Sequence, residues 1–162
     1  MIGVDPGTAA TGLAVVAAER RGRAVVLEAR TVRTPADMAE ERRLHAVYRA
    51  LRRVLADHRP EAVAVERLMW GRNVGSAMSV ARASGVVLLA AAEAGVPVKE
   101  YAPLEVKMAV AGSGSAEKGD VRQALQRLHG LSDVPSEPDA ADAVAVALCH
   151  LHQNTALREA TP

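Results

Sequence analysis

The sequence predicts an α/β domain: a five-stranded mixed sheet, made of a three-strand antiparallel meander plus two parallel strands, flanked by helices. Three observations carry this. Two β-rich runs, residues 2–5 and 11–16, flank a turn of Pro6, Gly7 and Thr8, and a third run follows at 23–32. From 36 to 58, Leu44, Val47, Tyr48, Leu51, Val54 and Leu55 recur at three- and four-residue spacing, the period of a helix. Two further short runs, 61–66 and 97–101, each follow a helical stretch, which suits strands parallel to the first.

Length and composition set the bounds. At 162 residues the chain suits a single domain. It spans residues 1–152, with 153–162 read as a flexible tail. Phe is absent and aromatic residues amount to one Trp and two Tyr, so the core must be Ala, Val and Leu with closely packed helices. A single cysteine, Cys149, excludes an intramolecular disulfide and fits a reducing compartment. No apolar run approaches the roughly 20 residues of a membrane span, and no signal peptide precedes Asp5. A soluble cytoplasmic protein without a membrane partner is expected. With a net charge of only +1, a nucleic-acid partner must be met by a local patch.

In the first strand, side chains alternate faces, so Ile2 and Val4 point one way and Gly3 and Asp5 the other. Asp5 ends the strand beside glycines that allow a ligand close to the backbone. A lone acid there also suits a turn, so it needs partners to become a site. The helix at 36–58 carries Arg42, Arg43, Arg49, Arg52 and Arg53 opposite its apolar stripe, which is a solvated face or a DNA contact. The strand at 61–66 repeats the pattern of the first: Ala62, Ala64 and Glu66 share a face and the strand stops at a carboxylate. If it lies beside the first strand, Asp5 and Glu66 meet at the carboxyl ends of parallel strands, where open α/β sheets bind ligands. Two neighbouring acids repel unless a cation holds them.

The loop after Glu66 contains Arg67, Met69, Trp70, Arg72 and Asn73. Trp70 is either a lid on the core or an apolar side chain kept for a partner. The helix at 74–95 has a small-residue surface, including Ala81 and Gly85, that admits a close helix neighbour from this chain or from a symmetry mate. A short helix at 103–110 carries Lys107. Lys118 opens the helix at 117–129, where a cation opposes the macrodipole and is either exposed or kept for an anion. Asp139 and Asp142 then lie three apart on one face near the start of the last helix. Asp139 also suits a first-turn residue. Asp142 sits within an Ala/Val run that reads as buried, and a buried carboxylate should face something cationic. His150, two turns on and about 80° round the helix, reads as a surface residue near the tail.

Together, Gly-Val-Asp-Pro-Gly around Asp5, Val-Ala-Val-Glu ending at Glu66 and Asp-Ala-Ala-Asp-Ala-Val-Ala-Val-Ala from Asp139 resemble the RuvC family of Holliday-junction resolvases. So do Glu105-Val106-Lys107 and the run from Gly112 to Lys118. The resemblance extends from Met1 to about His152 with the elements in order. It implies a ribonuclease H-like fold and a homodimer. The implied activity is a structure-selective endonuclease that resolves four-way DNA junctions by paired, metal-dependent hydrolytic nicks in recombination and repair. A junction-binding, branch-migration motor complex is the implied partner. Asp5, Glu66, Asp139 and Asp142 resemble the metal-binding acids, and Lys107 and Lys118 the lysines near the cleaved strand. The loop with Arg67, Met69, Trp70, Arg72 and Asn73 resembles the segment entering the junction centre. Family members often present Phe three residues after the Glu; here Met69 holds that position and Trp70 follows.

Carboxylate oxygens suit Mg²⁺ or Mn²⁺, hard cations that keep waters and accept phosphate oxygens as ligands. Two such ions about 4 Å apart activate a water on one side of a phosphodiester and steady the leaving oxygen on the other. A rival reading takes residues 5–12 as the phosphate loop of an actin-like or sugar-kinase-type ATPase. That architecture needs a second similar domain, which 162 residues cannot supply.

Overall fold

The structure is a computed structural model that describes residues 1–19, 23–68, 74–131 and 133–159, with the side chains of 74–76, 118 and 155–159 outside the described set. Strand β1 (Ile2–Asp5) lies at the centre of a five-stranded sheet of order β3-β2-β1-β4-β5. It pairs antiparallel with β2 (Ala10–Ala18), which pairs antiparallel with β3 (Ala24–Arg33). On its other edge β1 pairs parallel with β4 (Val63–Glu66), and β4 with β5 (Val98–Tyr101). This is the expected meander plus two parallel strands. The helices are α1 (Glu40–His58), α2 (Val74–Glu93), α3 (Pro103–Ala111), α4 (Lys118–Arg127) and α5 (Pro138–Glu159).

Side-chain alternation along the strands builds two cores. Ile2, Val4, Leu13, Val15, Val63 and Val65 face α1 and α2, which contribute Val47, Leu51, Val54 and Leu55, and Val87, Ala90 and Ala91. Ala14, Val16, Ala64 and Tyr101 face the other way, onto α5 and the pair α3–α4. The β1 residues on that second face are Gly3 and Asp5, so little side chain separates the sheet from α5. A Cβ on Gly3 would overlap the carbonyl oxygen of Ala143 and stand 2.8 Å from the Ala147 nitrogen. A Cβ on Gly12 would overlap the carbonyl oxygen of Asp139, with the carbonyl carbon at 2.6 Å. Backbone lies on backbone there, and only glycine permits it. The matching helix face is alanine-rich for the same reason; Ala140, Ala143 and Ala147 are all buried.

Three local features depart from the sequence reading. Helix α1 starts at Glu40 rather than near Ala36. Thr34 accounts for the delay: its hydroxyl donates to the Thr8 carbonyl and accepts from Arg43 Nε at 2.9 Å, and the Thr34 N–H bonds the Ala9 carbonyl. The chain is thereby tied to the β1–β2 turn, and a Pro35–Met38 turn precedes the helix. Helix α5 continues to Glu159, through much of the segment read as a tail. His150 is buried, not a surface residue. Its Nδ1 lies 2.7 Å from the hydroxyl of buried Tyr101, and burial pushes the tyrosine up to about 12 and the imidazole below its ordinary value. The angle that turns His150 away from Asp142 turns it toward β5. On the opposite side of the sheet, Arg52 of the arginine-rich face of α1 pairs with Glu93 of α2 at 2.8 Å, and Glu93 also accepts from Tyr48 at 2.6 Å.

The glycine contact is testable against a glycine in open space. Gly12→Ala should lose about 2 kcal/mol or more in denaturant unfolding, because the added methyl must displace helix backbone. Gly119→Ala, whose added Cβ would meet nothing within 4 Å, should be neutral or gain up to about 1 kcal/mol through helix propensity. Equal effects at the two positions would mean that the close approach of α5 does not limit stability.

Candidate active site

Asp5 and Glu66 reach the site as the terminal residues of neighbouring strands. The parallel register pairs Val4 with Val65, so the next residues on each strand are Asp5 and Glu66. Both project onto the α5 face, and both are partly buried. Beyond Glu66, the Arg67 N–H donates to the Tyr101 carbonyl at 2.7 Å, which carries the main chain one residue further along β5. Arg67 itself is exposed.

The third acid comes from α5. The helix touches the sheet at Asp139 over Gly12 and at Ala143 over Gly3, and Asp142 lies in the turn between these points. It lines one cleft of about 300 Å³ with Asp5, Glu66 and Lys107. Lys107 is on α3, which packs on α5 and roofs the cleft with Pro103 and Val106; Val121 of α4 and Ala145 of α5 complete the wall. The α3 N-terminus is set by Glu105, whose carboxylate accepts from the Ala102 N–H at 2.6 Å. Three carboxylates and one ammonium thus share a half-apolar recess at the carboxyl ends of parallel strands. In such a recess charges interact more strongly than in bulk water.

Asp139 stands apart from this group. It belongs to the first turn of α5, where a carboxylate is favoured by the helix dipole. Its Oδ2 lies 3.9 Å from Nη1 of Arg33, whose Nη2 lies 3.5 Å from Glu137. Among the described residues, no three Asp, Glu, His or Cys side chains stand close enough to form a ready-made metal centre. The donor set around the cleft is nonetheless all oxygen and suits a hard divalent cation. Met69, Trp70, Arg72 and Asn73 lie outside the described residues, as does the side chain of Lys118. Arg33 was not singled out from the sequence. Its approach to Asp139 depends on the β2–β3 register, which no local pattern encodes.

The turn at 6–9 is closed on itself. Thr11 Oγ1 donates to the Gly7 carbonyl, and a Cβ on Gly7 would overlap the carbonyl oxygen of Ala10. Nothing found supports reading it as the phosphate loop of an ATPase. Residues 1–150 match the family described as Crossover junction endodeoxyribonuclease RuvC. A relative of that description from Syntrophomonas wolfei subsp. wolfei is 46% identical over 152 residues, covering 94% of this chain and 88% of the relative. One from Moorella thermoacetica is 47% identical over 150 residues, covering 93% and 89%. The solved structure of T. thermophilus RuvC in complex with Holliday junction substrate superposes with a TM-score of 0.87 at 38% identity, covering 96% of this chain and 94% of that one. The fold is therefore ribonuclease H-like, metal dependence comes with the family, and the chain belongs to the RuvC family of crossover junction endodeoxyribonucleases.

Proposed function

We propose that this chain resolves four-way DNA junctions in recombination and repair, by nicking two symmetric strands at two copies of the acid cleft. The observation that carries the reading is the convergence of Asp5, Glu66, Asp142 and Lys107 on one cleft in a chain of this family. The similarity to a protein solved with Holliday junction substrate supports the choice of DNA. Asp5, Glu66, Asp142 and Asp139 would hold two Mg²⁺ ions, for which Mn²⁺ would substitute, and the bound metal would supply an activated water and charge stabilisation at the leaving oxygen.

The chain's own groups do the rest. Asp5, between Glu66 on β4 and Asp142 on α5, is the carboxylate best placed to serve both halves of the site. Lys107, with Lys118 from α4, neutralises charge that develops on the phosphate. Arg67, Arg72 and Asn73 grip the backbone while Met69 or Trp70 enters the junction centre. Separating base pairs there costs a few kcal/mol per step, which an inserted apolar side chain offsets by stacking. Cys149 is buried, its thiol pushed up to about 11, and takes no part in the chemistry. The reaction belongs to the cytoplasm, and a junction-binding, branch-migration motor complex is the partner that the resemblance implies.

Two symmetric nicks call for a homodimer, and α2 supports one. Met78, Ala81, Gly85, Leu88 and Leu89 form an exposed stripe at helical spacing along its outer face, with Leu89 54% exposed and Met78 47%. The opposite face, through Ala83, Val87 and Ala90, is already spent on the core. A second copy of the same stripe is the self-complementary partner that two-fold symmetry provides.

Two experiments test this reading. Asp5→Asn keeps the side-chain volume and removes a charge, so Mg²⁺-dependent nicking should fall at least about 100-fold, a loss equivalent to about 2.7 kcal/mol of transition-state stabilisation. Junction binding measured in Ca²⁺ should hold or tighten. Appreciable cutting by the variant would remove Asp5 from the reaction. Ala81→Arg should sediment as a monomer and make single, unpaired nicks; a variant that stays dimeric would place the interface elsewhere.

A further inference from the structure

Asp139 and its cation occupy the seam between the edge of the sheet and the acid cleft. Arg33 ends β3 in register with Ala10, and alternation puts it on the same face as Thr31, the partner of Gly12. Gly12 lies under the backbone of Asp139 and is itself the register partner of Asp5. Asp139 therefore sits above β2, with Arg33 on the β3 side and Asp5 on the β1 side. In the structure its carboxylate is directed to Arg33, 3.9 Å away, and is not part of the cleft lining. Arg33 spans two acids at once, since Glu137 lies 3.5 Å from its other terminal nitrogen.

We propose that Arg33 is a positioning residue that sets metal affinity, holding Asp139 in an outer position from which the carboxylate turns into the cleft as it exchanges the guanidinium for a divalent cation. The proposal rests on reading the cleft as the metal site. It accounts for a cleft lined by three acids that, among the described residues, do not draw together into a ready-made centre. Arg33 is 58% exposed and Asp139 28%, so the pair is weak enough to open reversibly. Glu137 keeps hold of Arg33 when Asp139 leaves, so the freed guanidinium is not released toward the cations. An arginine suits the task because its fork serves two carboxylates in one plane. No covalent step is involved; one ion pair is exchanged for another.

The test is Mn²⁺ binding to DNA-free protein, followed by the electron paramagnetic resonance signal of free Mn²⁺, with thermal melting of every variant. Arg33→Ala should bind Mn²⁺ roughly two- to five-fold more tightly, the size expected from releasing an exposed ion pair. Arg33→Lys, which keeps the charge but not the fork, should bind with an affinity between those of wild type and Arg33→Ala. In an Asp139→Asn background Arg33→Ala should change nothing, because the competing carboxylate is gone. If Arg33→Ala melts early, Arg33→Gln, which keeps most of the stem, carries the same expectation. Unchanged or weaker binding in a stably folded Arg33 variant would overturn the proposal. So would a tightening that persists in Asp139→Asn, since that would reflect only the lost positive charge. Binding abolished by Asp142→Asn but unmoved by Arg33→Ala would overturn this proposal alone, whereas binding insensitive to Asp142→Asn would overturn the metal-site reading and the proposal with it.

Discussion

The contact on which the structure depends is the direct seating of α5 on β1 and β2 at Gly3 and Gly12. Without side chains at those positions, the helix backbone comes down onto the sheet, and its alanine face fills the narrow gap that is left. A helix that close can bring a short carboxylate beside one that ends a strand. Asp142 has a single side-chain methylene, so a helix held off by ordinary core residues, at the usual 8–10 Å or so between packed elements, would leave it short of Asp5 and Glu66. Glycine and alanine line the seam where α5 meets β1 and β2, and larger side chains stand away from it: Ile2, Leu13, Leu51 and Leu55 on the α1–α2 side, and Tyr101, Leu125 and Leu148 on the α5 side.

The site concentrates negative charge where the fold can bear it. Asp5 and Glu66 end their strands, where they still pair with Gly12 and Tyr101. Asp139 lies at the positive end of the α5 dipole. The opposing cations come from elements outside this arrangement: Lys107 from α3 over the cleft, and Arg33 from the meander at the other side of Asp139. These cations offset the repulsion among the acids.

Much of this was legible in the sequence because it depends on alternation and spacing. That Asp5 and Glu66 each end an apolar strand, on a face otherwise of glycine and alanine, needs only the two-residue period. Asp142 stood out as an acid inside an Ala/Val run. What was not legible depends on contacts between distant segments. The Arg33–Asp139 pair requires the β2–β3 register, which a bulge between Val15 and Val16 shifts by one residue. The late start of α1 requires the hydroxyl of Thr34 to bond a loop 26 residues earlier. The burial of His150 does not follow from its angle to Asp142, because the side chain it packs with, Tyr101, lies on another element. For α2, the small-residue pattern signalled close packing, but only the structure separates the face spent on the core from the stripe left exposed.

The central claim is that the seating of α5 makes one cation site out of two strand ends and a helix. Crystals of the protein soaked in Mn²⁺, with data collected at the manganese absorption edge, test it most directly. The account predicts an anomalous peak within about 2.1 Å of carboxylate oxygens of Asp5 and Glu66, with Asp142 in the same coordination sphere. A protein saturated with Mn²⁺ whose anomalous peaks all lie away from these three side chains would contradict it.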